Sequence, residues 1–246
     1  MNGFELAVQM RVQVNLHRKN NKGAGQMVFS EDSRVKIPCI LHLVRLGYRY
    51  LSLKDAVWDL DTNIFPVLFN EAIARINPDL SADDLTRLLA DVKLLLDNED
   101  LGKAFYDRLT ERSGTRLIDF ENCDNNSFHV VTELTCKNGD DEFRPDITLL
   151  INGMPLAFIE VKKPNNREGV LAERSRIITR SRNPKFRRFI NITQLMVFSN
   201  NMEYEDGSPQ PIEGAFYASP SYDAPVFNYF REEETLDLTQ LLAAED

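Results

Sequence analysis

Apolar residues in the first half of the chain recur every three or four positions, which is the spacing of helices with one buried face. The pattern predicts a helix that begins after Ser30 and is interrupted by Pro38, because proline removes a helical hydrogen bond. A second helix is predicted over 62–77 and a third after Ser81, whose side chain suits the N-cap position. Residues 100–112 continue the helical pattern.

Beyond Gly114 the pattern changes to short β-branched or apolar runs separated by Asn, Gly and Asp, which is typical of strands. A basic segment over 168–182 has helical character. The predicted strands are 117–120, 128–136, 147–151, 156–161, 195–199 and 214–218. This order predicts an α/β fold with a mixed β-sheet flanked by helices.

The bulk composition is that of an ordinary globular chain, with 246 residues of which 43% are hydrophobic. This length fits one large domain, or one domain with an appendage. The three cysteines are widely spaced and form no CxxC pair, so we expect reduced thiols in a cytoplasmic protein and no zinc site. No apolar run approaches the 18 residues of a membrane span.

The charge is distributed unevenly. The whole chain has a net charge of −9, yet residues 162–188 contain ten Lys or Arg and only two acids. A basic stripe inside an acidic chain is an electrostatic footprint of nucleic-acid binding that the net charge conceals.

The candidate chemistry lies where two predicted strands meet. Asp146 opens one apolar strand, and after thirteen residues a second apolar run ends in Glu160 and Lys162. Alternate residues of a strand share a face, so Glu160 and Lys162 project together. Two carboxylates can hold a hard cation, and a lysine can orient water or stabilise charge on a phosphate. The alternative is an edge strand whose Glu and Lys simply face water.

The turn between these strands decides whether the two acids can meet. A two-residue Asn152-Gly153 turn pairs Ile151 with Met154 and, without correction, places Asp146 and Glu160 on opposite faces. We therefore predict a three-residue loop or a β-bulge between the two acids.

The segment from Asp146 to Lys162 resembles the PD-(D/E)xK nuclease superfamily. More closely, residues 28–230 are similar to the N-terminal nuclease domain of the restriction subunit of type I restriction–modification enzymes. The supporting stretches are Glu31 to Tyr48, Phe69 to Asn77, Asn126 to Val130 and Gln194 to Asn200.

The resemblance implies a restriction-endonuclease-like core and an endonuclease that hydrolyses DNA with Mg²⁺, for which Mn²⁺ can substitute. It implies Asp146 and Glu160 as metal ligands and Lys162 as the catalytic lysine. It also suggests Glu31 as an acid near the metal. The alternative for Glu31 is an acid that stabilises a helix N-terminus.

One departure from the family concerns the helix after the lysine, where relatives often carry Gln-x-x-x-Tyr. Here 173–180 lacks that motif, and Gln194-x-x-x-Phe198 comes later and ends in Phe. Basic residues are expected to take over, and the candidates for DNA binding are Lys163, Arg174, Arg176 and Arg180. The alternative is a solvated helix face.

The resemblance also implies partners: double-stranded DNA, methyltransferase and specificity subunits, and motor domains. No GxxxxGK[ST] motif is present, so no ATP site is expected in this chain. The predicted organisation is an N-terminal extension (1–29), a nuclease domain (30–231) with a helical part at 62–112, and an acidic tail or linker toward motor domains (232–246). The alternatives are a nuclease of the same type from another repair or defence system, and a non-catalytic DNA-binding or assembly module.

Overall fold

The computed structural model describes residues 30–54, 56–163, 166, 169–200, 215–219 and 222–227. It describes only the backbone of residues 170, 171, 174, 215–219 and 222–227. The predicted extension over 1–29 and tail over 232–246 therefore lie outside the described residues.

The first helical segment begins with a π-helical turn, Asp32–Lys36, which continues as helix α1, Ile37–Arg45. Pro38 lies in the first turn of α1 and cannot donate to the carbonyl four residues earlier. The helix is not interrupted at Pro38 as predicted, because it continues to Arg45; the departure from α geometry is the widened turn that precedes Pro38, a feature often found at functional sites.

Three further helices share one hydrophobic cluster: α2 (Pro66–Ile76), α3 (Ala82–Leu95) and α4 (Lys103–Leu109). Helix α3 begins at a capping box in which Ser81 and Asp84 exchange hydrogen bonds, as its sequence predicts. Helix α2 begins four residues later than predicted, because the Asp59 carboxylate accepts the backbone N–H of Thr62 and holds that segment in a turn.

The strands are β1 (Arg49–Tyr50), β2 (Phe128–Thr132), β3 (Cys136–Asn138), β4 (Asp141–Phe143), β5 (Ile147–Ile151), β6 (Met154–Val161), β7 (Leu195–Ser199), β8 (Ala215–Ser219) and β9 (Tyr222–Phe227). Seven of them form a mixed sheet in the order β1-β2-β5-β6-β7-β8-β9. Strands β1 and β2 run parallel, as do β6 and β7, and the other neighbours are antiparallel. The predicted mixed sheet flanked by helices is confirmed.

Helices cover both faces of the sheet around its central strands. Helices α5 (Gly169–Ser181) and α6 (Arg187–Ile192) pack on the face that contains Phe158, and α1 packs on the face that contains Ile159 and Val161. Because residues of a strand alternate between faces, Glu160 projects toward α5 with Phe158. None of the described helices is both long and apolar enough to cross a membrane.

The predicted strand over 117–120 is wrong, since this segment is irregular. The Asp119 carboxylate accepts hydrogen bonds from the backbone of Glu121 and Asn122 and from the side chain of Asn125. Such local side-chain bonds offer the backbone an alternative to a strand ladder.

Candidate active site

The hairpin of β5 and β6 places the two candidate ligands opposite each other. Ile151 pairs with Met154 across a two-residue turn, but the register shifts at Leu149 and Leu150, so that Ile147 pairs with Ile159. The extra residue is Leu156 on β6, and one step beyond the last pair Asp146 lies opposite Glu160. The predicted β-bulge is confirmed. It brings Asp146 and Glu160 to the same face of the sheet, whereas a regular two-residue hairpin would place them on opposite faces.

Glu160 is a buried acid beside a second acid. It is 6% exposed, and its Oε1 has no hydrogen-bond partner among the described residues. Burial, together with the neighbouring carboxyls of Asp146 and Glu173, raises the pKa of Glu160 to about 9, although Lys162 opposes the shift. Asp146 also accepts the backbone N–H of Val161 through Oδ2, at 2.9 Å.

Lys162 follows the last residue of β6 and remains attached to the sheet, because its backbone N–H donates to the Ser199 carbonyl at 2.9 Å. Its Nζ donates to the Val161 carbonyl at 2.9 Å and lies 3.3 Å from Glu173 Oε2. The side chain is 15% exposed. The ammonium is therefore held at the edge of the site, on the side toward α5.

The Glu173 cluster consists of Glu173, on α5, and the cations that the described part of the chain places around it, Lys162, Arg176 and Arg180. The Glu173 carboxylate is 2.9 Å from Arg176 and 3.6 Å from Arg180, and its side chain is only 5% exposed. The Arg180 guanidinium also lies over the ring of Phe143, 4.9 Å from its centre. Residues 173, 176 and 180 lie on one helix face, and this spacing was the one available signal for the cluster.

The Lys36 cluster lies on the other side of Asp146. The Lys36 ammonium is 3.8 Å from Asp146 Oδ1 and 4.0 Å from Asp32, and it forms a hydrogen bond with Glu133. Glu133 is also 2.8 Å from the Arg144 guanidinium. Sequence reasoning missed Lys36 and Glu133, because they are 97 residues apart in the chain and no local pattern brings them together.

Glu31 also interacts electrostatically with the site. Burial raises the pKa of Glu31; Lys162 and Lys36 lower it, and Asp146 and Asp32 raise it. The structure therefore brings Glu31 close to Lys162 and Asp146. Its place beside the π-helical turn is compatible with either of its two predicted roles.

The predicted DNA-binding residues differ in what they contact. Lys163 is exposed, and Arg176 is 61% exposed although it pairs with Glu173. Arg180 is mostly covered, and the side chain of Arg174 lies outside the described residues. Further along the basic stripe, Arg188, Arg187 and Lys185 pair with Asp97, Glu99 and Asp141, respectively. The basic residues at the end of the stripe therefore form ion pairs with acidic residues of the fold.

Gln194 does not stand in for the missing motif. Its backbone N–H donates to the Leu156 carbonyl, and its amide donates to the carbonyls of Asn191 and Ile192. Leu156 is four residues before Glu160, about 13 Å along a strand. Phe198 is buried in the core. The residue that α5 does bring to Lys162 is Glu173.

The acid pair fits a hard divalent cation. Its donors are carboxylate oxygens, which Mg²⁺ prefers, and the unpartnered Oε1 of Glu160 is a buried acceptor without a donor. Among the described residues no three His, Cys, Asp or Glu side chains converge closely enough to hold a metal by themselves. Mg²⁺ usually keeps several waters, so two protein carboxylates with water and phosphate oxygens form a suitable ligand set.

A mixed sheet covered by helices, with an acid pair and a lysine at the end of its central hairpin, defines an α/β fold compatible with a nuclease-like core. The chain belongs to the family of type I restriction enzyme R protein N termini, whose family model matches residues 28–208.

Named relatives agree with this family. The chain is 28% identical over 224 residues to a protein of Methanocaldococcus jannaschii provisionally named as the type I restriction enzyme MjaIXP endonuclease subunit; the match covers 80% of the chain and 21% of that protein. It is 31% identical over 146 residues to the type I restriction enzyme HindI endonuclease subunit of Haemophilus influenzae, over 50% of the chain and 14% of that protein. The chain thus spans about a fifth or less of the length of these relatives.

Proposed function

We propose that this chain is the nuclease module of a type I restriction enzyme and that it hydrolyses DNA phosphodiester bonds with bound Mg²⁺. The observation that carries the proposal is the juxtaposition of Asp146, Glu160 and Lys162 at the end of one bulged hairpin. The family and the relatives named as endonuclease subunits support the same function.

In the proposed reaction Asp146 and Glu160 hold the cation at the rim of the sheet. The Val161 N–H fixes one oxygen of Asp146, and the ladder between β5 and β6 fixes the spacing of the two carboxylates. When bound, Mg²⁺ would polarise the phosphate and lower the pKa of water. Lys162 would orient the attacking water or neutralise charge that develops on the phosphate oxygens.

The other parts of the proposal rest on the family. Partners of the chain would be double-stranded DNA, methyltransferase and specificity subunits, and motor domains that use ATP elsewhere. The basic residues would contact phosphates rather than base edges, because the stretch is rich in arginine and lysine and poor in Asn and Gln. These residues are Lys163, Arg174, Arg176 and Arg180.

Calorimetric titration of Mg²⁺ into wild type and Asp146→Ala tests the metal site, and cleavage of supercoiled plasmid by the same proteins tests the activity. We expect Asp146→Ala to lose both. Asp119→Ala is the matched control: this acid is also buried and pairs with Arg116 at 3.4 Å, but it lies toward the turn end of the hairpin. Unchanged cleavage by Asp146→Ala would overturn the proposal, and loss of cleavage in both variants would assign the effect to folding.

A further inference from the structure

The position of the Lys162 ammonium is not determined by its backbone alone. The sheet fixes the backbone of Lys162 through Ser199. Four carbons separate the backbone from the ammonium, and a lysine stem of this kind is flexible. A lysine that acts on one phosphate oxygen needs a second constraint at its tip, because a misplacement of about 1 Å can cost about 100-fold in rate.

Two contacts supply a constraint at the Lys162 tip. The Val161 carbonyl accepts from Nζ at 2.9 Å, and Glu173 Oε2 lies 3.3 Å away on α5. The first contact is made by the preceding residue and moves with the same backbone. The Glu173 contact is the one described polar contact of the ammonium that comes from another element of the fold.

Glu173 is itself held in place by its neighbours. Its carboxylate is almost completely buried, and Arg176 and Arg180 pair with it from the same helix. A buried carboxylate without partners would be costly, so these arginines offset the cost of placing it here. They approach from the same helix, and they therefore leave the carboxylate in reach of Lys162.

The three cations respond differently if the Glu173 charge is lost. Arg176 is 61% exposed and can turn its guanidinium into water, whereas Lys162 is 15% exposed and Arg180 is 35% exposed. Two partly buried cations would then lose the acid that they share. The ammonium of Lys162 would no longer be held in its present position, because its remaining described hydrogen bond is to the carbonyl of the preceding residue.

We infer that Glu173, on α5, is a positioning residue that fixes the Lys162 ammonium for the reaction. The inference rests on the proposed nuclease function. It assigns Glu173 no contact with substrate or metal, and it gives Arg176 and Arg180 the task of holding Glu173 as well as that of meeting DNA.

The kinetic test compares wild type, Glu173→Gln, Glu173→Asp and the control Asp119→Asn in steady-state plasmid cleavage, in the longest native context of the chain. Gln keeps the length of the side chain without its charge, and Asp keeps the charge but is one methylene shorter. We expect kcat to fall about 100-fold in Glu173→Gln and about 10-fold in Glu173→Asp, with the KM for DNA and the Kd for Mg²⁺ within threefold of wild type. Asp119→Asn should retain the wild-type kcat.

Each alternative has its own signature in these measurements. A weaker Kd for Mg²⁺ in Glu173→Gln would make Glu173 a metal ligand and overturn the inference. Full activity of Glu173→Asp beside an impaired Glu173→Gln would replace positioning by an effect of charge alone. Wild-type kcat in Glu173→Gln would remove any role in the reaction.

A second measurement does not depend on cleavage. Nitrogen-15 NMR of the lysine ammonium groups in the 246-residue chain reports the mobility of Lys162, with its signal assigned from a Lys162→Arg variant. We expect Lys162 to be ordered in wild type and mobile in Glu173→Gln. An equally ordered signal in both proteins would overturn the inference. Absence of cleavage by wild type would instead count against the proposed function and leave this test intact.

Discussion

Glu160 lies between two charge clusters, one with an excess of acidic residues and the other with an excess of basic residues. In the Lys36 cluster the cations Lys36 and Arg144 face Asp32, Glu133 and Asp146, which gives an excess of acid. In the Glu173 cluster Glu173 is the one acid among the described residues that faces Lys162, Arg176 and Arg180, which gives an excess of base. Each cluster has a nearly buried residue of the minority charge at its centre.

The difference suggests a division of labour within the proposed site. Asp146 and Glu160 face the acidic side, where a cation lowers the electrostatic energy, and Lys162 belongs to the basic side, where a phosphate does so. The minority residues, Lys36 and Glu173, keep each set of like charges together until the ligand arrives. A bound phosphodiester with its metal would complement both sides at once.

The largest expected effect is on cleavage, and it comes from removing Glu160 from the acidic side or Lys162 from the basic side. Glu160→Ala and Lys162→Ala should each lower cleavage by about 10³-fold, the upper range for removing one preorganised electrostatic group. Calorimetry should show that Glu160→Ala loses Mg²⁺ binding while Lys162→Ala retains it. Equal Mg²⁺ affinities in the two variants would show that the sides do not divide metal from phosphate.

The next effect breaks the Lys36 cluster. Lys36→Met removes the cation shared by three acids, and because these acids are 74%, 40% and 19% exposed we expect a loss of about 1 kcal/mol in the free energy of unfolding. Millimolar Mg²⁺ should recover part of that loss, since the cation would then neutralise the remaining acids. The control is Lys93→Met, which removes the partner of Asp59, a residue of neither cluster. Thermal unfolding with and without Mg²⁺ gives both quantities, and a loss in Lys36→Met that Mg²⁺ leaves unchanged contradicts the prediction.

A smaller effect concerns Glu160 in the metal-free protein. Its pKa is raised to about 9 in the folded state, so its protonated form stabilises the fold below the unfolded pKa, and that contribution is lost as pH rises from about 4.5 through 9. Glu160→Gln lacks this loss. At pH 8 the variant should be more stable than wild type, and the difference should shrink toward pH 5, because folded wild type retains a proton that its unfolded state has released. Urea unfolding at pH 5 and pH 8 checks this, and parallel pH profiles would refute it.

The smallest effect tests the exposed edge of the Glu173 cluster. Arg176→Gln should weaken binding of all DNA sequences alike and reduce the salt slope of binding by about one, the value for one phosphate contact. Arg87→Gln on α3 is a matched control, since Arg87 is 76% exposed and pairs with Asp84 within its helix. Neutralising Arg174 and Arg180 as well should reduce the slope further. An unchanged slope would place these arginines against solvent or another subunit.

Local patterns predicted most of the fold, because each helix and central strand has its own periodicity. The bulge was also predictable, since only a change of parity lets Asp146 and Glu160 share a face after an Asn152-Gly153 turn. Lys36 and Glu133 were not predictable, because their contact depends on how a π-helical turn packs beside the end of β2. Glu133 also has a left-handed backbone (φ 58°), which few residues other than glycine adopt.

The site residues divide in the same way. Asp146, Glu160 and Lys162 lie within one hairpin or directly beside it, so their relative positions could be predicted from their spacing in the sequence. Glu173 was visible only as one acid in a basic helix, and its role depends on which face of α5 packs on β6. The segment over 117–120 was predicted as a strand because the apolar pattern does not show the hydrogen bonds that the Asp119 carboxylate accepts.

The bulge at Leu156 makes the candidate site sensitive to chain length at a position that contacts none of its charged groups. Leu156 is buried in the core, and its insertion alone sets which face Glu160 occupies. Losing one residue from β6 would move Glu160 to the face that Ile159 now occupies and bury an acid against α1. Losing two residues would return Glu160 to its present face but shorten the strand. An odd insertion or deletion here changes the face that Glu160 occupies, whereas an even one keeps the face but moves Glu160 two positions along the hairpin, away from Asp146.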